Sequence, residues 1–130
     1  MSFHTYALIF ALGACALFGV SGARAECVSP GVLGPGGKPC NGCSYEGKMS
    51  TTRGQACERP WIIDRTDTMV ITSNRVTRRA KHGIAGANAN TWAYQPGPGF
   101  VGTDDFTTVA HFKRDGAPGS FTVHWTVTVQ

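Results

Sequence analysis

Charge is scarce in this chain: 15% of its 130 residues are charged, with 12 Lys and Arg against 8 Asp and Glu. So small a basic surplus argues against nucleic acid as a partner. After residue 25 there is no long apolar run, which excludes a polytopic membrane protein. No stretch beyond that point keeps a 3.6-residue apolar period, so an α/β fold is excluded too. A phosphate loop would need Gly-Lys-Ser/Thr ahead of a helix, and that is missing. Cys40-Asn41-Gly42-Cys43 is followed by Ser44, where haem attachment requires His, and it lacks the βαβ setting of a thioredoxin-like redox pair. Nothing in the sequence calls for a cofactor or a metal.

What the chain does have begins at its first residues. An apolar run from Ala7 to Val20 leads into Ala23-Arg24-Ala25, the pattern of a secretory signal peptide over 1–25, with cleavage expected between Ala25 and Glu26. Leu12-Gly13-Ala14-Cys15 also fits a lipoprotein box, but most of the apolar run would then lie behind the cysteine. The expected product is periplasmic or secreted and has no membrane span. Removal of residues 1–25 takes away Arg24 and no acidic residue, leaving eleven basic residues against eight acidic ones.

Four cysteines then remain, Cys27, Cys40, Cys43 and Cys57, an even number in an exported chain. Two disulfides follow, with three connectivities open. Residues 26–58 are rich in Gly, Pro, Ser and Thr and cannot build a core of their own. They read as a disulfide-stapled segment of loops covering the domain at 59–130. A staple closing about 15 residues would offset roughly 3 kcal/mol of chain entropy.

From Pro60 onward β-branched and aromatic residues recur with period two between turn signals. In the last run Phe121, Val123, Trp125, Val127 and Val129 alternate with Thr122, His124, Thr126 and Thr128, so one face is core and the other wet. Before it, Phe106 to Lys113 places Phe106, Ala110 and Phe112 inside and Thr107, His111 and Lys113 outside, with a turn in "RDGAPGS". Earlier strands are expected over Met69–Thr72, Val76–His82 and Trp92–Gln95, with Trp61-Ile62-Ile63 as a further apolar segment. The expected fold is all-β, an antiparallel Ig-like sandwich.

Tyr94-x-Pro96-x-x-Gly99-Phe100-x-Gly102-x-Asp104-x-Phe106 resembles the Y-x-P-x-x-G-F-x-G-x-D-x-F signature of bacterial Ig-like and cadherin-like tandem-repeat domains. His82-Gly83 is similar to the pair that opens the preceding strand in that family, and "FTVHWTVTV" to its last strand. The likeness spans Arg75 to Gln130, in a single copy, with the cysteine region where such repeats usually begin with acidic segments. It implies an Ig-like module and agrees with the residues themselves. Gly99 and Gly102 allow positive φ, Pro96 stiffens the approach, Asp104 can accept turn N–H groups, and Tyr94, Phe100 and Phe106 anchor a structural corner.

Candidate chemistry is sparse. His111 and His124 share the outer face of neighbouring strands, without a carboxylate to orient them. Ser120 and Asp115 do not make a triad by being present, since geometry defines one. "NRVTRRAKH" concentrates Arg75, Arg78, Arg79 and Lys81. On a regular strand Arg75, Thr77, Arg79 and Lys81 would share one face, a basic stripe able to meet an anionic polysaccharide or an acidic envelope protein. The favoured function is an exported, noncatalytic Ig-like binding or structural module of the cell envelope. The alternative is a small secreted inhibitor or enzyme with its site in the stapled loops.

Overall fold

A computed structural model describes Cys27 and residues 38–60, 67–89 and 91–130. The signal-like segment 1–25 and Trp61-Ile62-Ile63 lie outside the described residues. The described residues form seven strands: β1 (Cys43–Thr51), β2 (Cys57–Pro60), β3 (Val70–Arg78), β4 (Gly83–Ala87), β5 (Thr91–Pro96), β6 (Gly102–Arg114) and β7 (Ala117–Val129). They form a four-stranded sheet in the order β1-β7-β6-β3 and a three-stranded sheet in the order β2-β5-β4. Among the described residues no helix is long and apolar enough to cross a membrane.

The two sheets share one core, and β7 shows why. Every odd residue from Phe121 to Val129 is buried and the residues between them are half-buried or exposed, as the pleat requires of a strand with one dry face. Trp125 packs on Trp92 across the sandwich, ring centroids 4.3 Å apart and planes tilted by 37°, and stacks on Phe106 at 5.8 Å. Its indole N–H donates to the Thr108 hydroxyl at 2.9 Å, which satisfies a polar group buried at the centre. Phe106, Ala110 and Phe112 point inward from β6, and Thr108 joins them.

β6 and β7 are joined by Asp115-Gly116 alone, both with positive φ (52° and 79°). This is the backbone of a tight hairpin turn whose twist matches that of the flanking strands. The "RDGAPGS" turn is therefore shorter than its composition suggests, and Pro118 lies inside β7. It is tolerated because β1 pairs with β7 only from Phe121 onward, so nothing needs an amide hydrogen at residue 118.

Two corrections concern the first half of the chain. Residues 26–58 do not consist only of loops: β1 pairs in parallel with β7 from Cys43↔Phe121 to Thr51↔Val129, and β2 straddles the boundary at 58/59. Met49 and Cys57 are core residues. Gly47 permits this approach, because a Cβ there would run into the Trp125 ring. A sandwich expected to be antiparallel thus closes on one parallel pair. Second, Met69–Thr72 and Val76–His82 are not two strands. They merge into β3, which carries register shifts at Ile71/Ser73 and Val76/Arg78, and the chain then turns into β4, whose "GIAGA" has little β-forming character of its own.

The disulfides join Cys27 to Cys57 and Cys40 to Cys43. The first ties the chain ahead of the sandwich to edge strand β2. The second closes the short loop leading into β1, where the Cys40 amide donates to the Tyr45 hydroxyl at 2.9 Å.

Candidate functional site

The residues of the aromatic-glycine motif gather around the Asp104 carboxylate, which is only 4% exposed. Its two oxygens accept four hydrogen bonds: from the Lys81 amide at 3.0 Å, the His82 amide at 2.8 Å, the Asp105 amide at 2.8 Å and the Tyr94 hydroxyl at 2.8 Å. Burial raises the pKa of this carboxyl. The four donors together outweigh that effect and hold it below the ordinary aspartate value. Tyr94 moves the other way: burial, then its bond to Asp104 and the nearby negative charge, push the phenol well above its usual range.

Around this node the rest of the motif falls into place. The turn itself occupies residues 97–101, since Gly102 already begins β6 opposite Val129. Gly99 and Gly102 have φ of +73° and +139°. Pro96 ends β5 buried, Phe106 is fully buried, and half-buried Phe100 stacks on the His82 ring with centroids 4.5 Å apart. The Gly97 amide donates to the His82 carbonyl at 2.8 Å. Gly83 has no room for a side chain, because a Cβ would meet the Tyr94 ring and the Gln95 carbonyl. In this way the 94–106 segment grips the turn between β3 and β4 from beneath.

The basic residues lie on the end of β3 and in that turn. Arg75 is exposed on β3 opposite Val109. The shift between Val76 and Arg78 then breaks the two-residue repeat, so the charges do not continue as a straight line along one face. Arg78 lies opposite Thr107 and pairs with Asp105 at 3.2 Å, both side chains well exposed. Arg79 and Lys81 follow in the turn, exposed. Among the described residues no carboxylate pairs with Arg75, Arg79 or Lys81. Four basic residues thus reduce to three unneutralised ones around a turn that Asp104 fixes. Next to it, a groove of 380 Å³ is lined by Val76, Arg79, Ala80, Gly83, Ile84 and Ala85.

The histidines are not brought together. His124 lies opposite Thr107, whose hydroxyl is 3.3 Å from its Nδ1, whereas His111 lies opposite Ser120, four positions further along the ladder. About 3.4 Å per residue over four positions makes that a separation of roughly 14 Å. Asp115 sits exposed in the hairpin turn, away from both. Among the described residues no three His, Cys, Asp or Glu side chains cluster as metal ligands would.

Two features carry no signal in the sequence. Arg114 donates to Asp67 through Nε at 3.0 Å and Nη2 at 2.9 Å, and Nη2 also reaches the Pro39 carbonyl at 2.8 Å. The guanidinium hydrogen bond lowers the Asp67 pKa. These bonds span 47 and 75 residues, so no local pattern announces them. Asn74, 6% exposed, has neither side-chain polar atom bonded within the described residues, and its place inside is set by the β3 register shift rather than by any alternation.

No protein-family model matches the chain, and no curated protein matches it.

Proposed function

We propose that this protein is an exported, noncatalytic Ig-like module of the bacterial cell envelope that engages an anionic partner through the basic segment Arg75–Lys81. The observation that carries the reading is the state of that segment: Arg75, Arg79 and Lys81 are exposed and, among the described residues, unneutralised, with Arg75 fixed on the β3–β6 ladder and the Lys81 backbone held by Asp104. A charged surface held rigid loses little entropy on binding, which favours recognition over a floppy basic tail. Export is supported by the signal-like leader and by two disulfides, which persist in oxidising compartments. The Ig-like assignment rests on the motif resemblance together with the two-sheet sandwich.

Retention on immobilised dextran sulfate over a salt gradient tests this reading. The parent should be held at low salt and released as screening shortens the reach of exposed charges to about 10 Å at 0.1 M. Arg75→Glu/Arg79→Glu should lose retention. Lys48→Glu/Arg53→Glu, which removes the same charge from exposed positions on and just after β1, should keep it. Equal loss in both double variants would mean that net charge alone binds, and the reading would fail.

A further inference from the structure

The free edges of the two sheets are unequally protected. β3 carries two register irregularities and two arginines, and β2 is four residues long, ends in Pro60 and is tied by a disulfide. β1 alternates in Glu46 and Lys48 on its exposed side. Bulges, charges, proline and shortness are the usual ways of preventing strand addition. β4, "GIAGA", has none of the first three. Among the described residues only β5 pairs with it.

Its main chain is oriented to accept a neighbour. Bonds from the Gly97 amide to the His82 carbonyl (2.8 Å) and from the Asn88 amide to the Thr91 carbonyl (2.9 Å) bracket the β4–β5 hairpin. Antiparallel ladders alternate bonded and non-bonded pairs, so His82, Ile84, Gly86 and Asn88 face β5. The amides and carbonyls of Gly83, Ala85 and Ala87 therefore point off the edge. Ile84 is 75% exposed, and the 380 Å³ groove opens beside it with Val76, Ala80 and Ala85 as apolar walls and Arg79 on its rim.

We propose that the β4 edge takes up an extended, acidic segment of a partner protein as an added strand, with an apolar side chain in the groove and carboxylates against Arg79 and Lys81. This deepens the anionic-partner reading and rests on it. Charge selects the occupant: a second copy would bring the same basic segment and, with residues 1–25 removed, eleven basic residues against eight acidic ones, a formal net charge of +3. Main-chain donors and acceptors select the class, because a strand can complete a ladder and a sulfated or phosphorylated glycan cannot.

The probe is a fluorescein-labelled synthetic peptide of seven alternating Glu and Val residues, added to the full oxidised protein and followed by anisotropy and by amide hydrogen exchange. The amides of Gly83, Ala85 and Ala87 should gain protection at saturation. Ala85→Pro, which removes an outward amide without touching a β5 bond, should weaken binding by at least about tenfold, the equivalent of roughly 1.4 kcal/mol. Should that variant not fold, Ile84→Ser serves: it removes the exposed apolar side chain beside the groove without changing charge, so it should weaken the peptide yet leave dextran sulfate retention unchanged. Peptide binding unaffected by both substitutions, absence of protection at the three amides, or protection of those amides already in the free protein would overturn strand addition. If dextran sulfate is retained through Arg75 and Arg79 while the peptide is ignored, strand addition falls and the anionic-partner reading stands. If neither binds, both fall.

Discussion

Replacing Asp104 by alanine should be among the most damaging single changes in this fold. The carboxylate accepts four hydrogen bonds, and a bond to a charged group is worth about 1.5–3 kcal/mol when one partner is deleted. They do not add, since the amides of Lys81, His82 and Asp105 lie near enough to the surface to regain water. Tyr94 cannot, being fully buried, and its stranded hydroxyl alone costs about 1–3 kcal/mol. A total near 3 kcal/mol follows, and at about 4–8 °C per kcal/mol in a domain of this size the melting temperature should fall by roughly 12–24 °C. Urea unfolding followed through buried Trp92 and Trp125 reads it directly. Tyr94→Phe/Asp104→Ala should cost less than the two single changes summed, because the double variant leaves no orphaned phenol.

The same node sets a pH dependence at both ends. Asp104 has a folded pKa below its unfolded value, so its contribution is present above the ordinary aspartate value of 3.8 and is lost as pH falls below it. Tyr94 has a folded pKa above its unfolded 10.0, so its contribution is present below pH 10.0 and is lost as pH rises beyond it. Asp104→Ala should remove the acid limb and only weaken the alkaline one, because burial, the largest cause of the Tyr94 shift, remains. An Asp104→Ala protein within about 0.5 kcal/mol of the parent, the range of an ordinary surface change, would refute the structural account of this carboxylate.

Gly102→Val should lower stability by about 1–3 kcal/mol, since φ of +139° is closed to a β-branched residue, and chemical denaturation would show it. Asn74→Leu should raise the urea midpoint by the equivalent of about 1 kcal/mol by removing two buried, unbonded polar atoms; a lower midpoint would mean that they are satisfied in solution. Unreduced mass spectrometry should find Cys27–Cys57 and Cys40–Cys43 joined. Loop entropy makes the first bond, with a sequence separation of 30, worth about 3.6 kcal/mol and the second, with a separation of 3, about 1.6 kcal/mol, so Cys27→Ala/Cys57→Ala should destabilise more than Cys40→Ala/Cys43→Ala.

Those elements whose geometry is written in near neighbours are legible in the amino-acid sequence alone. The two-residue period of β7 assigns its faces because successive side chains of a strand must alternate, and "RDGAPGS" marks a turn by its Gly and Pro, though its tightening to Asp115-Gly116 shows only in the structure. The all-β class follows from the same periodicity. What the tertiary structure decided is everything that depends on a partner distant in the chain. β1 is a strand because β7 lies beside it with a groove at Trp125 that only Gly47 fits, and β4 is one because β5 supplies the bonds that "GIAGA" has no propensity to seek. The basic residues lose their common face through the register shift in β3, and His111 and His124 are parted by the β6–β7 register. Asp104 finds two of its donors more than twenty residues back along the chain. Composition and period act over a few residues, whereas register, sheet edges and buried hydrogen bonds are settled only when the whole sandwich closes on one core.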